Sequence, residues 1–139
     1  MILSIDHVGI AVADLDAAIA FYEKAFDLTC THVEENAEQG VREAMMSARD
    51  GGTQIQLLAP LSADSAIGKF LDRSGPGIQQ MAYRVDDIRA TAEALRAQGL
   101  RLLYDEPKVG TAGSLINFVH PKDAGGVLVE LVQPSDAAH

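Results

Sequence analysis

The chain has one cysteine and no tryptophan among its 139 residues. A lone Cys30 excludes an internal disulfide and any zinc cluster built of thiolates, and a reducing compartment is the natural expectation. Basic residues are also scarce: 11 Lys and Arg stand against 20 Asp and Glu, for a net charge of −9. That balance argues against a nucleic-acid partner, which needs a basic face. Long apolar runs are missing too; none approaches the ~18–20 residues that cross a bilayer, so no membrane partner is expected. The first residues lack a basic stretch followed by an apolar one, so the expectation is a cytoplasmic protein without a signal peptide. What is present is ordinary for a globular chain, with hydrophobic residues at 47% and charged residues at 22%. The length fits one domain spanning 1–139.

The chain repeats itself, with related segments over about 3–60 and 76–134. Ile5-Asp6-His7-Val8-Gly9-Ile10-Ala11-Val12-Ala13-Asp14-Leu15 aligns with Ile78-Gln79-Gln80-Met81-Ala82-Tyr83-Arg84-Val85-Asp86-Asp87-Ile88. Both alternate as strands do, then meet an aspartate suited to cap a helix. Apolar stripes follow in both copies: Ala17, Ala18, Phe21, Tyr22, Ala25 and Phe26 in the first, Ile88, Ala92 and Leu95 in the second, where Gly99 stops the helix. The ends correspond as well, Thr53–Pro60 with Val127–Pro134, strand-like and closed by proline. Two further strands fit in each half, near 28–33 and 41–49, then near 101–106 and 115–120, the last followed by a hairpin turn at Asp123-Ala124-Gly125-Gly126. Each half therefore reads as β-α-β-β-β, and residues 61–77 as a linker carrying a short helix. The fold class is α+β, with two tandem βαβββ modules forming a curved mixed sheet.

Polar residues interrupt these strands at matching places. His7 corresponds to Gln80, and Gln56 to Glu130. Alternate strand residues share a face, so approximate two-fold symmetry would gather an imidazole, two amides and a carboxylate. Such a set suits a divalent metal, and its oxygen donors lean to cobalt, manganese, nickel or magnesium over a structural zinc. A single strand histidine is nevertheless more often a hydrogen-bonded core residue than a ligand, and a single Gln or Glu near a strand end is usually solvated. The residues alone leave both readings open. Glu43, one acidic residue among Glu34, Glu35 and Glu38, reads by itself as solvated. His32 and His139 read as surface residues, and His120 as either a turn residue or a pocket residue. Gly110-Thr111-Ala112-Gly113-Ser114 lacks the ending of a phosphate-binding loop and reads as a flexible loop.

Taken together, the chain resembles the vicinal oxygen chelate (glyoxalase/bleomycin resistance) superfamily and, within it, the methylmalonyl-CoA epimerase family. The segments that carry the resemblance are Ile5–Ala11, Glu38-Gln39-Gly40-Val41-Arg42-Glu43-Ala44-Met45-Met46, Gln54–Pro60, Ala82–Ile88, Leu102-Leu103-Tyr104-Asp105-Glu106-Pro107-Lys108, Asn117–Lys122 and Gly126–Leu131. The resemblance covers nearly the whole chain. It implies metal ligands at His7, Gln56, Gln80 and Glu130, an acid–base pair at Glu43 and Glu130, cobalt as the favoured cation, with zinc also in the family's range, an acyl-CoA substrate and a homodimer. At Gln80 the chain departs from the family, which usually carries histidine there. The implied reaction interconverts (2R)- and (2S)-methylmalonyl-CoA. Inverting a carbon by proton transfer needs a base on each face of a planar intermediate, and a cation on the thioester oxygen would stabilise the enolate. The rival expectations are a glyoxalase I-type lyase and a metal-free ligand-binding protein of the same superfamily.

Overall fold

A computed structural model of the chain describes residues 1–135. Its elements run β1 (Ile2–Ala11), α1 (Leu15–Phe26), β2 (Thr29–Asn36), β3 (Val41–Ser47), β4 (Gln54–Pro60), α2 (Ala66–Ser74), β5 (Gly77–Val85), α3 (Ile88–Ala97), β6 (Lys108–Val109), β7 (Leu115–Val119) and β8 (Leu128–Gln133). The eight strands belong to a mixed sheet. By its contacts the chain divides into two units, one of His7–Gln79 and the other of Met1–Asp6 with the residues from Gln80 onward.

In the first unit the strand order is β2-β3-β4-β1. β1 runs parallel to β4, with Gly9 opposite Gln56, and β3 runs antiparallel to β4, with Met45 opposite Gln56 and Glu43 opposite Leu58. One face packs on α1: Leu15 joins Ala44, Met46, Leu57 and Ala59, with Ala18, Ile19 and Tyr22 completing the layer. Asp14 starts that helix as expected, its carboxylate accepting the Ala17 N–H at 3.0 Å. Asp27 ends it in the left-handed conformation, which a short polar side chain tolerates. The other face carries His7, Gln56 and Glu43, and α2 covers its far end, where Ile67, Phe70 and Leu71 pack on Ala11, Val41 and Leu58. Gly40 makes that approach possible: it sits at φ +71, and a Cβ there would lie 2.9 Å from that of Ser65, the α2 cap.

The second unit repeats the plan in the order β5-β8-β7-β6. β5 runs parallel to β8, with Ala82 opposite Glu130, and β7 runs antiparallel to β8, with Phe118 opposite Glu130. The register is that of the first unit, so His7 matches Gln80 and Gln56 matches Glu130, as the sequence repeat requires. Asp87 caps α3 on the Ala90 N–H at 3.1 Å, and α3 covers one face through Ile88 and Leu95 packed on Val85, Leu131, Leu102 and Leu115. The helix at 66–74 and the β7–β8 turn agree with expectation. The strand near 101–106 does not form. Only a single bridge, Leu102 with Val119, precedes the two residues of β6. Asn117 accounts for the break: its carboxamide accepts the Tyr104 N–H at 3.0 Å and donates to the Tyr104 carbonyl at 2.9 Å. A side chain thus takes the place of the peptide group that would have continued the ladder.

Candidate active site

Side chains at alternate strand positions share a face, and paired residues on neighbouring strands do too. On the first unit this places His7 beside Gly9, Gln56 across from Gly9, and Glu43 next to Met45 across from Gln56. All three polar residues are buried, at 4%, 3% and 3% exposure for His7, Gln56 and Glu43. Gln56 Nε2 donates to Glu43 Oε2 at 2.9 Å. A buried carboxylate is tolerable only when hydrogen-bonded, and this amide supplies such a bond. Because the amide nitrogen turns toward Glu43, the amide oxygen is directed away from it.

The second unit carries its own pair. Gln80 Nε2 donates to Glu130 Oε1 at 3.2 Å, and both side chains are buried. Gln80 lies on β5 where His7 lies on β1, and Glu130 on β8 where Gln56 lies on β4. The counterpart of Glu43 is Ile116, opposite Val132. Each unit therefore buries one glutamine amide against one glutamate, with different strands supplying them.

Among the described residues no group of three or more His, Cys, Asp or Glu is gathered that could hold a metal ion. Any site at His7, Gln56, Gln80 and Glu130 therefore depends on amide oxygens. Taken unit by unit, the imidazole and amide of His7 and Gln56, and the amide and carboxylate of Gln80 and Glu130, are donor types suited to a cation that accepts oxygen ligands. Orientation of each amide by a carboxylate is the kind of support that metal ligands ordinarily receive.

The remaining candidates fall away from these faces. His120 is a turn residue, its Nδ1 accepting the Lys122 N–H at 3.1 Å. His32 is exposed and bonded to Glu34, and His139 lies outside the described residues. Gly110–Ser114 is a tight turn joining β6 to β7 in place of the flexible loop expected from its glycines. Ser114 N donates to Thr111 O, Gly110 N donates to Ser114 O, and Ser114 is buried. A Cβ at Gly110 would lie 2.6 Å from the Ile116 side chain, so the turn closes on the strand only with glycine there. Sequence reasoning passed over Ile67 and Phe70 of α2, which shelter the strands beside Glu43; their helical spacing was the available signal. It also passed over Phe118, directly opposite Glu130, which nothing in a run of apolar residues distinguishes.

Comparison with known proteins identifies the family and the fold. The model of the glyoxalase/bleomycin resistance protein/dioxygenase superfamily matches residues 6–118. The crystal structure of methylmalonyl-CoA epimerase from Mycobacterium tuberculosis is similar at 53% identity, covering 99% of this chain and 91% of that one, with a TM-score of 0.95. A methylmalonyl-CoA epimerase structure in complex with methylmalonyl-CoA and NH4+ is 46% identical, covers 98% and 97% of the two chains, and has a TM-score of 0.93. The ethylmalonyl-CoA/methylmalonyl-CoA epimerase of Cereibacter sphaeroides is 38% identical over 96% of this chain and 99% of its own length. The mixed sheet of eight strands with three helices is the vicinal oxygen chelate fold of those structures. The chain belongs to the glyoxalase/bleomycin resistance protein/dioxygenase superfamily and is an enzyme of its methylmalonyl-CoA epimerase branch.

Proposed function

We propose that the chain interconverts (2R)- and (2S)-methylmalonyl-CoA by moving the α-proton through an enolate. The observation that carries this reading is the pair of buried glutamates, Glu43 and Glu130, each held by a glutamine amide. Inversion requires proton removal on one face and delivery on the other, and one base does not reach both faces of a fixed planar intermediate. Glu43 and Glu130 are the two bases. Gln56 and Gln80 orient these carboxylates by donating to one oxygen of each. Burial of both carboxylates keeps bulk water from competing for the proton.

His7, Gln56, Gln80 and Glu130 are the residues that would hold a divalent cation, cobalt being favoured. When bound, such an ion supplies Lewis-acid stabilisation of the charge that develops on the thioester oxygen. Glutamine at position 80, where the family usually has histidine, weakens the preference for late transition metals relative to an imidazole.

In this reading one domain of duplicated modules binds a small acyl-CoA, works in the cytoplasm and forms a homodimer. Exposed apolar side chains at Ile2, Leu3 and Ile5 on β1 and Ile78 on β5 are compatible with a subunit contact, and light scattering at about twice the 14.8 kDa chain mass would test it. The activity is tested by following conversion of (2S)- to (2R)-methylmalonyl-CoA before chelation, after it, and after cobalt is restored. Conversion lost on chelation and recovered with cobalt is the expected result. No conversion with any of the candidate cations would overturn the reading.

A further inference from the structure

The face of the second unit that carries Glu130 also carries an aromatic wall. Phe118 is directly opposite Glu130, and residues so paired project to one face with Cβ atoms about 5 Å apart. Phe118 packs with Ala82, Ile116 and Val132, and Tyr104 and Leu128 close the cluster. The Tyr104 and Phe118 rings meet edge to face, with centroids 6.1 Å apart and planes at 74°.

Tyr104 belongs to the irregular segment that interrupts the edge strand, where side chains are ordinarily mobile. Three contacts remove that freedom. Asn117, 1% exposed, both accepts from and donates to the Tyr104 backbone. Arg96 reaches from α3 to donate to the Tyr104 carbonyl at 2.8 Å. Lys108 places its ammonium 4.7 Å from the centre of the Tyr104 ring. The Asn117 oxygen also accepts the Phe118 N–H at 2.8 Å, so one buried carboxamide ties the Tyr104 and Phe118 backbones together as a clamp.

This inference rests on the proposed epimerase reading, in which Glu130 works next to the α-carbon of the substrate. That carbon also bears an alkyl group, which needs apolar neighbours. Next to Glu130 on this face stand Phe118 across the ladder, Leu128 and Val132 along the strand, and Ala82 on β5. None of these offers a cation for the substrate's carboxylate or phosphates, so the alkyl group is the part they suit. In the first unit the position equivalent to Phe118 is Met45, an unbranched, adaptable side chain. We propose that Phe118, backed by Tyr104, is the specificity-determining wall that favours a 2-methyl over a 2-ethyl substituent, and that Asn117 is its positioning residue.

The test compares kcat and KM for methylmalonyl-CoA and 2-ethylmalonyl-CoA on wild type, Phe118→Leu, Asn117→Ala and Asn117→Asp, with thermal melts to establish folding. One methylene in a tight apolar pocket is worth roughly tenfold or more in discrimination. Phe118→Leu is expected to raise the ethyl-to-methyl ratio of kcat/KM by about that factor. Asn117→Ala is expected to shift the ratio the same way, acting mainly on KM. Asn117→Asp keeps an acceptor for the Tyr104 N–H but turns a carboxylate oxygen on the Tyr104 carbonyl, so it should shift the ratio at least as far as Asn117→Ala. Should the Asn117 variants fail to fold, Phe118→Leu decides. A folded, methyl-active Phe118→Leu with an unchanged or lowered ratio overturns the inference. A wild type inactive on both thioesters instead overturns the epimerase reading, and the inference with it.

Discussion

The two units share a frame and differ in what they place on it. β1 and β4 pair in the same register as β5 and β8, and β3 and β4 in the same register as β7 and β8. Within that frame the first unit carries its glutamine on β4 and its glutamate on β3, with His7 on β1. The second carries its glutamine on β5 and its glutamate on β8, and an isoleucine where the first has Glu43. Both end with the same local object, a buried amide donating to a buried carboxylate. Backbone pairing is fixed by the pattern of apolar residues and tolerates no slip without turning every side chain over. The identity of a polar residue at a given position is free of that constraint. The two units thus share strand places and differ in the chemistry set on them.

The comparison is sharpest at the carboxylates, where the largest effects are expected. Glu43→Gln and Glu130→Gln should each slow epimerisation by roughly 10²–10⁴, the range ordinarily lost with a general acid or base. Glu130→Gln should also lower metal affinity more than Glu43→Gln does, because it removes a proposed ligand, whereas Glu43→Gln only loosens the Gln56 amide that Glu43 orients. Metal content after dialysis against a chelator checks this, and equal metal loss in both variants would break the distinction between the units.

The frame itself is tested at Leu57 and Leu131, which follow Gln56 and Glu130 and face the helix side of their units at 0% and 1% exposure. Truncation of either to alanine should cost about 2–5 kcal/mol in denaturant unfolding. If one proved nearly silent, the two helix-covered layers would not be equivalent. The helix caps extend the same logic at smaller scale: Asp14→Ala and Asp87→Ala should each cost about 0.5–2 kcal/mol.

A pH effect belongs to the second unit. The Arg101 guanidinium, from the segment after α3, donates to both oxygens of Asp123 in the β7–β8 turn, at 2.9 and 3.1 Å, and the Arg101 N–H adds a third bond. Arg101 holds the Asp123 carboxyl at about 2, below its usual 3.8. A carboxyl lowered in the folded state contributes stability above its unfolded value, and that stability is lost as pH falls through about 2. Arg101→Met should therefore move acid unfolding to higher pH, by a small amount at an exposed pair. Superimposable acid limbs for variant and wild type would remove the effect.

Much of this was legible in the residues. The repeat, both aspartate caps, the short helix of the linker and the matched positions of His7 with Gln80 and Gln56 with Glu130 all follow from alternation and helical spacing. The broken edge strand was not legible, because the Asn117 side chain replaces a backbone ladder and no periodicity announces that exchange. Glu43 was equally hidden. β3 is buried on both faces over most of its length, so the alternation that would mark an inward carboxylate among Glu34, Glu35 and Glu38 is absent. Its partner, Gln56, lies 13 residues away. The rigid wall of Phe118 and Tyr104 likewise depends on contacts across strands.

The proposed epimerisation assigns one base to each epimer, Glu43 and Glu130. Washout of the α-proton into heavy water, followed separately for (2R)- and (2S)-methylmalonyl-CoA with Glu43→Gln and Glu130→Gln, tests it most directly. Each variant is expected to exchange the α-proton of one epimer, the two variants favouring opposite epimers, and neither to invert the carbon at the wild-type rate. Exchange of the same epimer by both variants, or undiminished inversion by either, would contradict it.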